Sequence, residues 1–176
     1  MGIVQDAEEI LGRDLAPGSL AALTGDLNER LRVREMEAVY RSSALAVVPL
    51  PSFFLHAVTV RVDGCELAAA SLSTLGPGRF AVFGPELRLG TTGTEMEMLY
   101  LARIPPIEGE RFSEVGTAYP SLMLYGLLAH HSALIRDEGQ AHYSPLFEQA
   151  LAKANENYAR SRQSETLARP IGRYRP

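Results

Sequence analysis

His130, His131 and His142 are the side chains best suited to hold a metal or to move a proton near neutral pH. Their spacing is not that of an HExxH helix, and no carboxylate accompanies them at helical register, so they read as structural histidines rather than ligands. A serine nucleophile would need a strained turn such as GxSxG, which the chain does not contain. Phosphate-cradling glycine patterns are also missing, since Gly76-Pro77-Gly78 and the stretch from Gly90 to Gly93 read as turns between strands. Cys65 is alone, which excludes an internal disulfide and a cysteine-based zinc cluster. With no His or Lys beside it in sequence to lower its pKa, it is expected to be a small buried apolar residue. The expectation is a protein without catalysis, cofactor or metal.

Charge gives the stronger lead. Residues 160–176 hold Arg160, Arg162, Arg169, Arg173 and Arg175 against Glu165 alone, a net charge of +4; the chain as a whole carries −4, so the first 159 residues carry −8. An acidic body with a basic end suggests a separate partner for that end, either nucleic acid or an acidic protein surface. All the basic residues but Lys153 are arginine, which favours planar, bidentate pairing with carboxylate or phosphate. Like charge weakens non-specific binding to DNA, so the acidic body does not read as a surface that wraps the duplex. It would suit a wall past which DNA slides.

The elements that must carry these groups follow from periodicity. The chain has 176 residues, 46% of them hydrophobic and 22% charged, enough to bury a core without staples. No window approaches the roughly 18 apolar residues of a membrane-spanning helix, and the acid-rich start is unlike a secretory leader, so a soluble, non-exported chain is expected. Ile3 to Leu11 reads as a short helix. Ser19, as N-cap, opens a second one with Leu20, Leu23, Leu27 and Leu31 on one stripe, running to about Glu37. Its outer surface pairs Glu29 with Arg32 and sets Arg30 near Arg34, a face that is solvated or awaits an acidic partner.

After residue 40 the period drops to two. Val58, Val60 and Val62 alternate with polar residues, and Asp63-Gly64 is a type I′ hairpin pair leading into Glu66 to Ser71. Arg79–Phe83, Glu86–Leu89 and Thr94–Ile104 read as further strands, the last ended by Pro105-Pro106. In that strand Met96, Met98 and Tyr100 share one face, and Glu95, Glu97, Leu99 and Leu101 the other. The expected sheet is small and antiparallel. Helix returns with Pro120 in the first turn and an almost wholly apolar run from Leu122 to Ile135; His130 and His131, about 100° apart, cannot both face inward. A last helix is expected with Ser144 as N-cap and Pro145 first, fraying past Tyr158, and residues 161–176 should be extended when unbound.

Four stretches in this order resemble the signatures of head-to-tail adaptor (connector) proteins of tailed bacteriophages. They are the run from Leu27 through Glu37, the strand Val60-Arg61-Val62-Asp63-Gly64, the run Leu99 to Ile107, and the stretch from Tyr119 to Gly126 continuing through Ile135 to Glu138. The resemblance spans about residues 18–158. It implies an α+β fold, a helical bundle formed by N- and C-terminal helices (1–40 and 107–159) with an inserted small antiparallel β-sheet (41–106) and an extended basic tail (160–176). It further implies a virion structural protein at the head-to-tail junction, made in the host cytoplasm. Its subunits would form a dodecameric ring that joins the portal protein above to a tail or nozzle component below, while DNA passes through without specific binding.

In related adaptors an extended C-terminal segment reaches the portal. That role would fall here to Arg160, Arg162, Arg169, Pro170, Ile171, Arg173, Tyr174 and Arg175. Arginines can make charge-assisted pairs, Ile171 and Tyr174 add apolar area, and the prolines limit the entropy lost on ordering, which is about 1–2 kcal/mol per residue. A ring presents many such tails at once and multiplies their hold. Because cyclic assembly is heterologous, each subunit needs two unlike patches; the sheet's exposed edges and its apolar second face, with Leu99 and Leu101, are the candidates. The competing expectation is a small host binding or chaperone-like module whose basic tail recruits nucleic acid or an acidic protein. A hydrolase using His130 or His131 has little in its favour.

Overall fold

The computed structural model describes residues 2–106 and 114–168. Two compact units divide the chain: one is formed by the residues before Met36 and after Arg103, the other is Met36–Arg103.

The first unit is helical. Its elements are α1 (Ile3–Leu11), α2 (Ser19–Arg30), α3 (Glu114–Ala118), α4 (Pro120–Ile135) and α5 (Gly139–Ala168). The 3–4 stripe of α2 is its buried side, with Leu23 and Leu27 fully covered and Leu31 covered just beyond it. α4 is the central element, and its Leu122, Met123, Gly126, Leu127 and Leu128 are all buried. Gly126 is there for closeness: a Cβ at this position would press on Leu23 and on the ring of Phe147, so side chains of α2 and α5 lie directly over the α4 backbone.

Several helix boundaries differ from expectation, each for a long-range or capping reason. α2 stops at Arg30, well short of Glu37. There the Asn155 side chain accepts from Arg32 N–H at 2.8 Å and donates to Arg30 O at 3.0 Å, while the Arg32 guanidinium bonds the carbonyls of Leu31 and Glu29 at 2.6 and 2.9 Å. The last carbonyls of the helix are thereby capped and the chain turns into extended structure. Its N-cap is Gly18 with φ of 91°, and Ser19 is the first helical residue. α5 begins at Gly139, with Pro145 inside it, because Asp137 accepts from Gly139 N–H at 3.2 Å and caps the first turn. It also continues to Ala168, so residues 160–168 are helical rather than extended. Local bonds support that last stretch: Arg160 pairs with Glu156 at 2.6 Å, and the hydroxyls of Ser161 and Ser164 donate to Tyr158 O and Arg160 O. The stretch from Arg160 to Thr166 is wholly polar in sequence, so it has no apolar period to read.

The second unit corrects the expected fold class. It is a seven-stranded mixed sheet, not a small antiparallel insert in a helical bundle, and all seven strands precede α3–α5. The strands are β1 (Glu37–Ser42), β2 (Val47–Pro49), β3 (Phe54–Val62), β4 (Cys65–Ala69), β5 (Arg79–Phe83), β6 (Glu86–Leu89) and β7 (Met96–Ala102), ordered β1-β7-β3-β4-β5-β6-β2. β4 and β5 run parallel through Ala68↔Arg79 and Ala69↔Phe80, and the other pairs are antiparallel. The β3–β4 turn has both central residues at positive φ, 48° at Asp63 and 81° at Gly64, as a type I′ hairpin requires. The Asp63 carboxylate accepts from Thr94 N–H and Glu95 N–H, and these two bonds hold it below the usual carboxylate range.

One sheet face forms the core of this unit: Val48, Val60, Val62, Leu67, Phe80, Leu87, Leu89, Met96, Met98 and Tyr100. β1 joins it through Ala38 and Tyr40, opposite Tyr100 and Met98. Cys65 is exposed, against the expectation of burial, because it follows the β3–β4 turn at the end of the ladder.

Candidate functional site

Of the expected portal-binding residues, Arg160 and Arg162 are among the described ones. Arg160 and Arg162 lie on α5, where Arg160 is tied to Glu156 one turn away, so neither belongs to an extended arm. Arg169, Pro170, Ile171, Arg173, Tyr174 and Arg175 lie outside the described residues. Leu101 is 2% exposed, so it offers little area to a neighbouring subunit, and Leu99 beside it is half-buried.

His130 and His131 make internal contacts, whereas His142 is exposed. His130 Nε2 lies 3.3 Å from Asp26 Oδ2, and its ring meets Phe147 edge-on. His131 is buried and accepts a hydrogen bond from Ala16 N–H. Arg30, expected on an open face, pairs with both Asp26 and Glu148, which raises its own pKa and lowers that of Glu148. Arg34 is likewise engaged.

Much of the signature sequence thus works inside the fold. Asn28 grips the returning chain, with Ile104 N–H donating to Asn28 Oδ1 at 2.7 Å and Asn28 Nδ2 donating to Ile104 O at 3.1 Å. Asn155 grips the departing chain at Arg30 and Arg32. The two asparagines therefore fix the points where the backbone leaves the helical unit and re-enters it. Tyr119 adds a third tie: its hydroxyl is pushed up by burial and by the Glu35 carboxylate to which it bonds.

Exposed apolar groups occur on the helical unit at Ile10, Leu134 and Ile135, and on the sheet unit beside its open edges. Along one row of its outer face the charges alternate across four neighbouring strands, Arg41 on β1, Glu97 on β7, Arg61 on β3 and Glu66 on β4, at separations of 2.7, 4.0 and 3.7 Å. Exposed pairs of this kind add little stability, but they fix strand register and leave that row self-neutralised. The apolar groups lie elsewhere. Val39 on edge strand β1 is 59% exposed, and at the opposite edge Val47 on β2 is 45% exposed, next to Leu45 at 62%. Each edge strand pairs on one side only, leaving a row of backbone groups for another strand. Phe53 and Phe83 are exposed as well, with the Arg88 guanidinium 5.1 Å from the centre of the Phe83 ring.

Sequence reasoning expected an interface at the sheet's exposed edges but identified neither β1 nor β2 as an edge strand. Val39 could have been found from the alternation of Ala38 and Tyr40 with Val39 and Arg41, had the helix not been carried through Glu37. Val47 sits in a three-residue strand ending in Pro49, too short for an alternation to register. Comparison of the chain with protein-family models and with curated proteins finds no match.

Proposed function

We propose that the chain is a structural subunit of a tailed bacteriophage, a head-to-tail adaptor that assembles as a ring beneath the portal and joins the DNA-filled head to the tail. The observation that carries this proposal is the pair of unlike sheet edges, β1 with exposed Val39 and β2 with exposed Val47 and Leu45. Heterologous, ring-closing assembly needs two different complementary patches on each subunit, and an open strand edge beside apolar side chains is such a patch. The four signature stretches supply the phage context, and the −8 charge of the first 159 residues suits a channel wall that does not retain DNA. In this proposal the portal anchor is the Arg-rich end from Arg169 onward, with Arg160 and Arg162 left to α5.

Native mass spectrometry of the chain mixed with the candidate portal ring tests the proposal, using full-length protein and a form ending at Ala168. Addition of a closed ring by the full-length protein, and loss of it in the short form, is the expected result. Equal addition by both forms would remove the anchor role from the arginines. No addition by either form, to a portal shown to be competent with another component, would overturn the adaptor proposal.

A further inference from the structure

α1 and the turn after it are tied to α4 at one buried polar point. Ala16 N–H donates to His131 Nδ1 over 2.8 Å, and His131 is 1% exposed. A ring nitrogen that accepts this bond carries no proton, so the neutral imidazole keeps its proton on Nε2. Nε2 is itself buried and has no hydrogen-bond partner among the described residues. The ring is therefore held by the Ala16 bond and by packing.

Two charged groups reach this imidazole: Arg13, on the turn between α1 and α2, opposes a second proton, and Asp137, just past α4, favours it. Those two pair with each other. Glu8 on α1 accepts from Leu15 N–H at 3.3 Å. On α2, Asp26 faces His130 and Arg30; on α5, Glu148 faces Arg30 and His142 packs against Tyr143; Glu114 on α3 is exposed.

We propose that His131 is a proton-operated latch for the N-terminal segment. Uptake of one proton turns Nδ1 from an acceptor into a donor that faces the Ala16 N–H, another donor. The bond cannot survive this, and the new charge lies in a buried place beside Arg13. The turn from Gly12 to Gly18 then comes away from α4 together with α1, opening the groove of about 540 Å³ that Val4, Leu15, Pro17 and Leu20 line. Burial, and after it the Arg13 charge, keep the imidazole below its ordinary pKa, so the latch is closed at neutral pH and opens under mild acid. Asp137 is held below the usual carboxylate range by the Gly139 N–H and by Arg13, so its pair with Arg13 persists at pH 5 and is not what opens.

Hydrogen exchange read by mass spectrometry at pH 7.5 and 5.0, corrected for the intrinsic pH dependence of exchange, tests the latch on the full chain. In the unsubstituted protein, protection of residues 12–18 should fall about tenfold at pH 5.0, the loss expected for one buried hydrogen bond, while the central turns of α4 keep theirs. His131→Asn keeps an acceptor near the Nδ1 position that does not titrate, and should hold the turn equally at both pH values. His131→Leu removes the acceptor and should exchange fast at both. Unchanged protection of the unsubstituted protein between the two pH values would overturn the proposal. So would an equal acid-induced loss in His131→Asn, which would move the effect to other groups; that comparison decides the matter even if His131→Leu does not fold.

Discussion

Removing the side chain of Asn28 is expected to cost the helical unit about 2–4 kcal/mol, a large effect for a half-exposed polar residue. The magnitude follows from what one amide does there. It accepts from Ile104 N–H at 2.7 Å and donates to Ile104 O at 3.1 Å, satisfying both backbone groups of a residue that is 5% exposed. Each such bond contributes about 1 kcal/mol net, and each backbone group left buried without a partner costs about 1–3 kcal/mol. Asn28→Ala orphans both groups. Asn28→Asp keeps the acceptor but sets a carboxylate oxygen against the Ile104 carbonyl, so it should recover little at pH 7. The assay is urea unfolding followed by far-ultraviolet circular dichroism, with the slope compared between variants so that a change of cooperativity between the two units is not mistaken for a change of stability. A loss under about 0.5 kcal/mol for Asn28→Ala would show that water replaces the amide without penalty, and would refute the reasoning from buried partners.

Three further outcomes can be checked with the same measurement. Gly90→Ala should cost upwards of about 3 kcal/mol, because its Cβ would overlap the Gly76 carbonyl, a backbone group that cannot swing aside; a loss under about 1 kcal/mol would show that the two turns separate freely. Arg136→Gly should stabilise by about 0.5–1 kcal/mol, since Arg136 ends α4 at φ of 56°, where a side chain is strained; a clear destabilisation would mean that the arginine makes contacts worth more than the strain. Stability should be flat above about pH 6.5 and fall below it as the unfolded chain takes up the proton that folded His131, its pKa lowered, resists. A second fall should follow at lower pH, where Asp137 and Glu148, both also lowered, are finally protonated. Equal stability at pH 7.5 and 5.0 would contradict the first of these assignments.

What could be read from the sequence was local. Pro120 at the start of α4, the Asp63-Gly64 hairpin and the β5–β6 turn each announce themselves through the backbone preference of one or two residues, and each occurs as expected. What could not be read was set at a distance. The run from Leu27 to Glu37 has good helical composition, and only Asn155, far along the chain, shows why the helix ends at Arg30. That misjudged end hid β1, and without β1 the sheet looked small. β2 pairs with β6 across a gap in sequence, and the parallel contact of β4 with β5 involves two residues of each strand, so no periodicity marks either. On the candidate site the sequence was weaker still. Leu99 and Leu101 stood out because they oppose the methionines, yet their face is partly covered by the chain, whereas exposed Val39 lay in a stretch read as helix.

The internal work done by the signature residues bears on where a partner can bind. Asn28, Arg30, Arg32 and Ile104 all have intrachain partners, so substituting them would disturb folding before it disturbed assembly. Val39 is different: it is 59% exposed on an edge strand, and its side chain contributes little to the core of the sheet. Val39→Lys should therefore change monomer stability by less than about 0.5 kcal/mol, the usual range for an exposed substitution. The same change puts a charge on the strand edge, the device by which natural sheets refuse further strands. If subunits join through β1, ring addition to the portal should be abolished while melting of the isolated chain stays where it was. Rings formed as readily by Val39→Lys as by the unsubstituted chain would exclude the β1 edge from the interface, and leave Val47 and Leu45 at the other edge without the complementary patch that a closed ring requires.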